Sequence, residues 1–180
     1  MDALPASVFN SLYGNEANAN FDDGSANGWA MDGLWHISSV RSASPSNSAW
    51  YGDEGTGDIN VPANTRNFGS MQRSVDLTNV STLDFDYHLI TEWGLGGSGC
   101  CDQFSVGVST DSGTTWTMIA DQTTTPSLVD NNDGSGTFTS VSLDVSAYTG
   151  QTVNIRFFFD TIDNINNAFQ GVFVDNILFQ

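Results

Sequence analysis

The sequence predicts an all-β protein, a jelly-roll β-sandwich of two antiparallel sheets with about nine or ten strands. Three segments alternate apolar and polar residues, which places one row of apolar side chains on a single face of each strand. These rows are Leu83, Phe85, Tyr87 and Leu89; Phe104, Val106 and Val108; and Val153, Ile155, Phe157 and Phe159. Ser, Thr, Asn, Asp and Gly fill the gaps between strands, and no window keeps the apolar spacing of an amphipathic helix.

Further segments have the composition of strands, and they lie near residues 34–40, 47–52, 67–75, 115–121, 137–145 and 171–179. The last segment is nearly continuous in apolar residues, which predicts a strand at the centre of a sheet. This number of strands is too large for one open sheet of this size, so two packed sheets closed as a jelly roll are expected.

One core is expected because 180 residues, 39% of them hydrophobic, fit a single all-β domain. We predict that this domain covers residues 20–180. Residues 1–19 are rich in Ala, Asn and Ser, and they form either a linker from a larger polypeptide, which is favoured, or an extended arm that adds a strand to a neighbouring subunit. The first residues lack the features of a signal peptide, so a mature or trimmed chain is expected.

The charge balance is strongly acidic, with 21 Asp and Glu against four Arg and a net charge of −17. This field repels nucleic-acid phosphates and anionic lipid, so neither is an expected partner. No segment approaches the roughly 20 apolar residues of a membrane-spanning helix, so no membrane insertion is expected. The carboxylates either hydrate the surface or converge on calcium, which prefers hard oxygen ligands, and both roles are expected.

The segment Ser109 to Trp116 fits the pattern S-x-D-x-G-x-x-W, the Asp box of sialidases and other β proteins. Asp111 is expected to accept backbone N–H bonds across a turn, Gly113 to allow a positive φ, and Trp116 to pack beneath the turn. The box occurs once in a chain too short for a propeller, so it predicts a hairpin and not a sialidase.

Cys100 and Cys101 are adjacent and follow a glycine-rich segment, 94–99. In an oxidising compartment a disulfide between them is favoured over two free thiols or a bond to another chain, and it would stiffen the loop locally. Trp93 before this loop and Asp102 after it suit sugar recognition by ring stacking and hydrogen bonds to hydroxyls. The alternative is a connector in which Trp93 covers the edge of the core.

Trp50 and Tyr51 are further candidate ligand-binding residues. The competing interpretation, favoured for Trp29, Trp35 and Trp50, is that the rings pack in the core or at its rim.

Catalysis has little support in the sequence. His36 and His88 are solitary, and no metalloprotease, nucleophile-elbow or phosphate-loop motif is present. Asp residues are so numerous that some pairs could serve a glycosidase, but their number is the only support for such a pair. No enzymatic activity is therefore expected.

A carboxylate-rich loop begins at Asp160 and offers Asp160, Asp163 and Asn167 as ligands of a second metal ion. It lacks the glycine and terminal glutamate of an EF-hand, so an ordinary polar loop is the favoured alternative. Residues 53–58 form another candidate cation-binding loop, for which a solvated turn is the favoured alternative.

The order of landmarks over residues 20–180 resembles the MAM-like jelly-roll domains of the choice-of-anchor J or cleaved-adhesin type, which occur in bacterial extracellular proteins. The matching segments are 20–24 (NFDDG), 28–29 (GW), 33–37 (GLWHI), 50–52 (WYG), 83–87 (LDFDY), 102–111 (DQFSVGVSTD), 159–161 (FDT) and 171–177 (GVFVDNI).

The resemblance implies a binding or adhesion role outside the cell, commonly with structural calcium, and it implies that the first and last strands meet. On that basis Asp22, Asp23 and Asp175 are the expected calcium ligands, helped by backbone carbonyls to reach about six to eight oxygens. For Asp23 the alternative is a turn cap before Gly24. Asp175 lies in an apolar strand, where a carboxylate is costly to bury unless it is paired or metal-bound.

The sequence therefore predicts a secreted or cell-surface, calcium-stabilised, non-catalytic module that binds an extracellular glycan or a surface protein. The alternative is a structural subunit of a surface filament or layer that self-associates through residues 1–19.

Overall fold

The computed structural model describes residues 14–93, 101–124, 127–131 and 135–180. The strands in this part of the chain are β1 (Ala30–Met31), β2 (Trp35–Ser38), β3 (Ser48–Tyr51), β4 (Phe68–Asp76), β5 (Thr82–Ile90), β6 (Gln103–Ser109), β7 (Thr117–Ala120), β8 (Thr139–Asp144), β9 (Thr152–Asp160) and β10 (Gly171–Phe179). One turn of 3-10 helix, Ser146–Tyr148, precedes β9. No helix in the described ranges is long and apolar enough to cross a membrane.

The strands form two antiparallel sheets of five strands each. Sheet I has the order β1-β4-β9-β6-β7 and sheet II the order β2-β3-β10-β5-β8. The predicted all-β sandwich is confirmed, and β10 lies at the centre of sheet II as its apolar run predicted. Strand β1 was not predicted because two residues are too few to show an alternating pattern.

The sheets pack face to face through the alternating apolar rows. The inward rows of β5 and β9 are each 2% exposed or less along their whole length. At the centre of the interface, the Phe85 and Phe157 rings meet edge to face with 5.0 Å between centroids. Tyr51 and Phe159 stack beside them with 4.8 Å between centroids. Burial of each side chain of this size contributes about 1.5–3 kcal/mol, so these rows hold the two sheets together.

The described residues before position 20 pack against the sandwich. Ala17 and Ala19 are buried, and Ala19 pairs with Ile177 next to the centre of sheet II. The side chain of Asn18 accepts a hydrogen bond from the Phe179 N–H at 2.8 Å. Core contacts therefore lie on both sides of the predicted boundary between residues 19 and 20, while residues 1–13 of the predicted arm lie outside the described residues.

Candidate ligand-binding face

The outer surface of sheet I carries the side chains that alternate with the core rows. The strand register aligns Gln72, Arg156, Gly107 and Met118 in one row, Ser70, Phe158 and Ser105 in the next, and Phe68, Asp160 and Gln103 in the third. We call Phe68, Trp116, Met118, Arg156 and Phe158 the aromatic face. Phe68 is 61% exposed and Met118 is 54% exposed. A group of large apolar side chains exposed to this extent is typical of a binding surface.

The centre of the aromatic face is a stack of three side chains. The Arg156 guanidinium carbon lies 4.2 Å from the centre of the Trp116 ring and 4.6 Å from that of Phe158. Cation–π contacts of this kind contribute about 0.5–2 kcal/mol each, which holds both rings in place. The Trp116 ring packs over Gly107 of β6, where an added Cβ would make ordinary contact with the ring at 3.4 Å.

The charge of Arg156 has no ion-pair partner among the described residues. Burial lowers the pKa of Arg156, and the carboxylate of Asp32 partly opposes this shift. Arginine nevertheless stays protonated at neutral pH because its ordinary pKa lies far above neutrality. The guanidinium is therefore a fixed positive charge, flanked by two partly exposed rings, on a strongly acidic protein.

The turn before β7 positions Trp116. The Asp111 carboxylate accepts hydrogen bonds from the Thr115 N–H at 2.8 Å, the Thr115 hydroxyl at 2.6 Å and the Ser109 hydroxyl at 2.7 Å. Gly113 has a φ of +87°, as the turn pattern predicted, and a Cβ on it would lie 3.6 Å from the Trp116 ring. The motif therefore forms the predicted turn, and its tryptophan lies on the outer surface of sheet I.

Trp50 and Tyr51 do not belong to an exposed ligand surface, because each is 0% exposed. Tyr51 faces the core, and Trp50 stacks on Phe173 with 4.9 Å between centroids. The Trp50 indole N–H also donates to the Gln170 carbonyl at 2.7 Å. The predicted ligand role of these two residues is therefore corrected to packing, the alternative that the sequence favoured for Trp50.

Trp93 and Asp102 flank segment 94–100, which lies outside the described residues. Trp93 is partly exposed, whereas Asp102 is 0% exposed and so presents no surface to a bulky ligand. Burial, reinforced by the negative charges of Glu92, Asp163 and Asp130, raises the pKa of the Asp102 carboxyl to about 7 against an opposing backbone hydrogen bond. A role for Trp93 in ligand binding stays a prediction.

The structure brings together two of the three predicted calcium ligands. The Ser44 hydroxyl lies 3.2 Å from Asp22 Oδ1 and 3.3 Å from Asp175 Oδ2. The same Asp175 oxygen accepts the backbone N–H groups of residues 43 and 44, and burial raises the pKa of Asp175 to about 7. Asp23 is exposed and accepts a backbone N–H two residues further on, which is the turn-cap geometry given as its alternative.

In the second predicted metal set, Asp160, Asp163 and Asn167, the Asp160 carboxylate has an arginine partner. Both Asp160 oxygens pair with Arg66, at 2.9 Å to Nε and 2.6 Å to Nη2. This bidentate ion pair occupies the carboxylate that the prediction assigned to a metal ion. The Asp163 carboxylate lies instead beside Glu92 and Cys101.

Cys101 belongs to a disulfide. The chain contains one other cysteine, Cys100, which lies outside the described residues. The predicted alternative of a free thiol is therefore excluded for Cys101, and the Cys101 sulfur lies 3.2 Å from Asp163 Oδ2.

The alternation of residues in β9 is a sequence signal for the aromatic face. The core row of β9 is Ile155, Phe157 and Phe159, so alternation alone places Arg156 and Phe158 on the opposite, outer surface. Trp116 could not be placed beside them from local pattern, because its neighbour Arg156 is 40 residues away and is brought close only by sheet pairing.

No protein-family model matches the chain, and no curated protein matches it either. Among solved structures, it is similar to TmCBM61 in complex with β-1,4-galactotriose, with a TM-score of 0.59, 12% identity and coverage of 92% of this chain and 97% of that chain. It is also similar to CBM27-1 of Caldicellulosiruptor saccharolyticus in complex with mannohexaose, with a TM-score of 0.51, 13% identity and coverage of 89% and 94%. The enzymatically active domain of bacteriophage CBA120 tailspike protein 4 gives a TM-score of 0.50 at 10% identity, with coverage of 92% of this chain and 21% of that one. These likenesses show the jelly-roll fold.

The hydrogen bonds of the Asp111 carboxylate predict that the stability of the folded protein depends on pH. Hydrogen bonds from Thr115 and Ser109 lower the pKa of Asp111 to about 2, so the folded carboxyl stays ionised to lower pH than the unfolded one, whose pKa is about 3.9. The turn's contribution to stability is therefore complete above about pH 4 and is lost as pH falls toward 2. Urea unfolding should show Asp111→Asn less stable than wild type at neutral pH, with the difference shrinking below pH 4. A difference that stays constant from neutral to acid pH would contradict this account.

Proposed function

We propose that this chain is a non-catalytic module that binds an extracellular glycan across the aromatic face. The observation that carries the proposal is the partly exposed stack of Trp116, Arg156 and Phe158 on one side of a jelly-roll sheet. Flat rings offer stacking surfaces for the apolar faces of sugar rings, and fixed donors beside them orient hydroxyl groups.

The geometry of the aromatic face fits a chain ligand. It extends over the four strands β4, β9, β6 and β7, a width of about 14 Å at the usual strand separation. Polar side chains lie in the same rows as the rings, with Gln72 next to Arg156 and Ser105 next to Phe158. This combination of apolar area and hydrogen-bonding groups suits an oligosaccharide.

Charge favours a neutral glycan. A net charge of −17 repels polyanions at long range. Two guanidinium groups contact the rings of the aromatic face, but Arg66, over Phe68, is paired with Asp160, which leaves Arg156 as the cation without an ion-pair partner among the described residues. Two structural neighbours are carbohydrate-binding modules, and their descriptions name galactotriose and mannohexaose, which are uncharged. Galactans and mannans are therefore the first ligands to test.

We also propose a domain type and a location for this chain. We assign the chain to the MAM-like, choice-of-anchor J type on the landmarks quoted above, and we place it outside the cell because its expected ligand and its disulfide suit that compartment. We also propose that binding occurs without hydrolysis, because the five side chains of the aromatic face are three rings, a thioether and a guanidinium, and none of these is the carboxylate that a glycosidase uses as acid or nucleophile.

A structural subunit of a filament remains the second candidate. It depends on residues 1–19 leaving their own domain, and residues 1–13 lie outside the described residues. Ala19 pairs with Ile177 of the same chain, which leaves this part of the arm engaged in its own sandwich. No contact within the described residues favours the filament over glycan binding.

We also propose that a calcium ion binds between Asp22 and Asp175 and stabilises the fold. The two carboxylates share one hydroxyl, and Asp175 is 0% exposed with no ion-pair partner in the described part of the chain. A buried negative charge costs several kcal/mol unless a cation offsets it. Carboxylate and hydroxyl oxygens are ligands that calcium accepts, so the residues present fit the ion.

Replacement of Trp116 tests the glycan proposal. Truncation of an aromatic residue at the centre of an interface costs about 2 kcal/mol or more, which is roughly 30-fold in Kd. Titration calorimetry with the best glycan of an array should show this loss for Trp116→Ala and for Phe158→Ala.

Val40→Ala is the matched control, because Val40 is 50% exposed and lies outside sheet I. It should bind as wild type does. If Trp93→Ala lost glycan binding while Trp116→Ala bound the glycan as wild type does, the binding site would be at the loop that follows Trp93, and the proposal would be contradicted.

Chelation tests the calcium proposal. An ion that binds only the folded state stabilises it by about 2.7 kcal/mol at 100 times its Kd, so EDTA should lower the thermal midpoint. The drop should be smaller in Asp175→Asn than in wild type, and Asp23→Asn, which removes a carboxylate outside the pair, should behave as wild type. An equal drop in all three proteins, or none in any, would refute calcium at Asp22 and Asp175.

A further inference from the structure

The guanidinium group of Arg156 is used differently from those of the other three arginines. Those three donate hydrogen bonds to oxygens of the protein: Arg66 to Asp160, Arg41 to Gln170 and Arg73 to Asn27. Arg156 donates no hydrogen bond and forms no ion pair within the described residues, and the rings of Trp116 and Phe158 hold it in place. Its N–H groups are therefore uncommitted within this part of the chain.

The uncommitted N–H groups of Arg156 differ in accessibility. Its Nε is buried without a hydrogen-bond partner, whereas neither Nη atom is buried in this way. Burial also lowers the pKa of Arg156, because the guanidinium has lost part of its hydration. A donor that water hydrates poorly gains more from a ligand acceptor than a fully hydrated donor does. The two Nη groups are therefore the donors that a ligand on the aromatic face meets.

The position of these two Nη groups is fixed by the sheet. Arg156 lies on β9, the middle strand of sheet I, and two rings contact its guanidinium. The guanidinium is planar, so its two Nη groups form a rigid fork that matches a pair of adjacent acceptor oxygens. A fork held in this way loses little side-chain entropy on binding and distinguishes ligands by the placement of their oxygens.

The charges around Arg156 favour hydroxyl oxygens over an anionic group as the acceptors. The carboxylate of Asp32 acts on Arg156 and opposes the lowering of its pKa, so part of the positive charge is already offset. The net charge of −17 repels anionic groups as they approach the protein. Two neighbouring hydroxyls of a neutral sugar offer a pair of adjacent oxygens without this repulsion.

Glycosidic linkage decides which sugar chains keep such a pair of hydroxyls. A hexose inside a 1,4-linked chain has free hydroxyls on its second and third carbons, which are adjacent. Inside a 1,3-linked chain the oxygen of the third carbon belongs to the linkage, so the free hydroxyls on the second and fourth carbons are not adjacent. Aromatic rings stack on the apolar faces of sugars in both kinds of chain, so the fork, and not the rings, distinguishes the two linkages.

We propose that Arg156 is the specificity-determining residue of the aromatic face. Its two Nη groups donate to the hydroxyls on the second and third carbons of one sugar residue, and the aromatic face thereby selects 1,4-linked over 1,3-linked hexose chains. This inference rests on the proposed glycan binding, to which it adds the class of ligand.

Affinity electrophoresis of the full chain in gels that contain β-1,4-galactan or β-1,3-galactan tests this inference. Wild type should bind the 1,4-linked polymer at least about tenfold more tightly, the effect expected of hydrogen bonds from a charged donor. Arg156→Met should lose this preference, and so should Arg156→Lys, which keeps the charge but lacks the fork. Arg41→Met is the matched control, because it changes the net charge equally and lies outside sheet I. It should bind both polymers as wild type does.

The same gels separate this inference from the proposed function. Trp116→Ala removes a stacking ring, so it should weaken binding to both polymers by the same factor and keep the preference. If Arg156→Met also weakened both equally, Arg156 would only support the rings, and the inference would fail while glycan binding stood. Equal affinity of wild type for the two polymers, or wild-type affinity in Arg156→Lys, would overturn it as well. Failure of wild type to bind either polymer would overturn galactan binding and this inference together.

Discussion

The packing of the inward row of β9 against β5 is the constraint on which the rest of the structure depends. Phe157 meets Phe85 at the centre of the sandwich, and the side chains of a strand must alternate between its two faces. Arg156 and Phe158 are therefore fixed on the outer surface by the same contacts that fix the core. A candidate binding surface placed on paired strands in this way is held more rigidly than one placed on loops, which lowers the entropy cost of binding.

Much of the fold could be predicted from alternation alone, since each inward row required a second sheet to cover it. Strand β10 was placed correctly at the centre of a sheet because its apolar run leaves no polar face. Trp50 shows the limit of this argument. Its register partner Phe173 and the chain around Gln170 bury it on the outer side of sheet II, and local pattern does not report which outward residues later elements cover.

The sequence likewise predicted the surroundings of some carboxylates and not of others. The closeness of Asp22 and Asp175 followed from the expectation that the ends of a jelly roll meet. The ion pair of Asp160 with Arg66 was not predicted, because the two residues are distant in the sequence. An oxygen of Glu92 and one of Asp163 lie within 4.8 Å of each other although the two residues are far apart in the sequence. With four arginines against 21 acidic residues, this protein has few cationic side chains of its own to offset its carboxylates, so bound cations are the natural means of offsetting them.

The most direct measurement of the central claim is an NMR titration that follows the five tryptophan indole N–H signals while a glycan is added. Ligand binding across the aromatic face predicts that the Trp116 signal moves with saturation, while the signals of buried Trp29, Trp35 and Trp50 stay in place. Saturable binding that moves the Trp93 signal and leaves Trp116 unchanged would contradict the account.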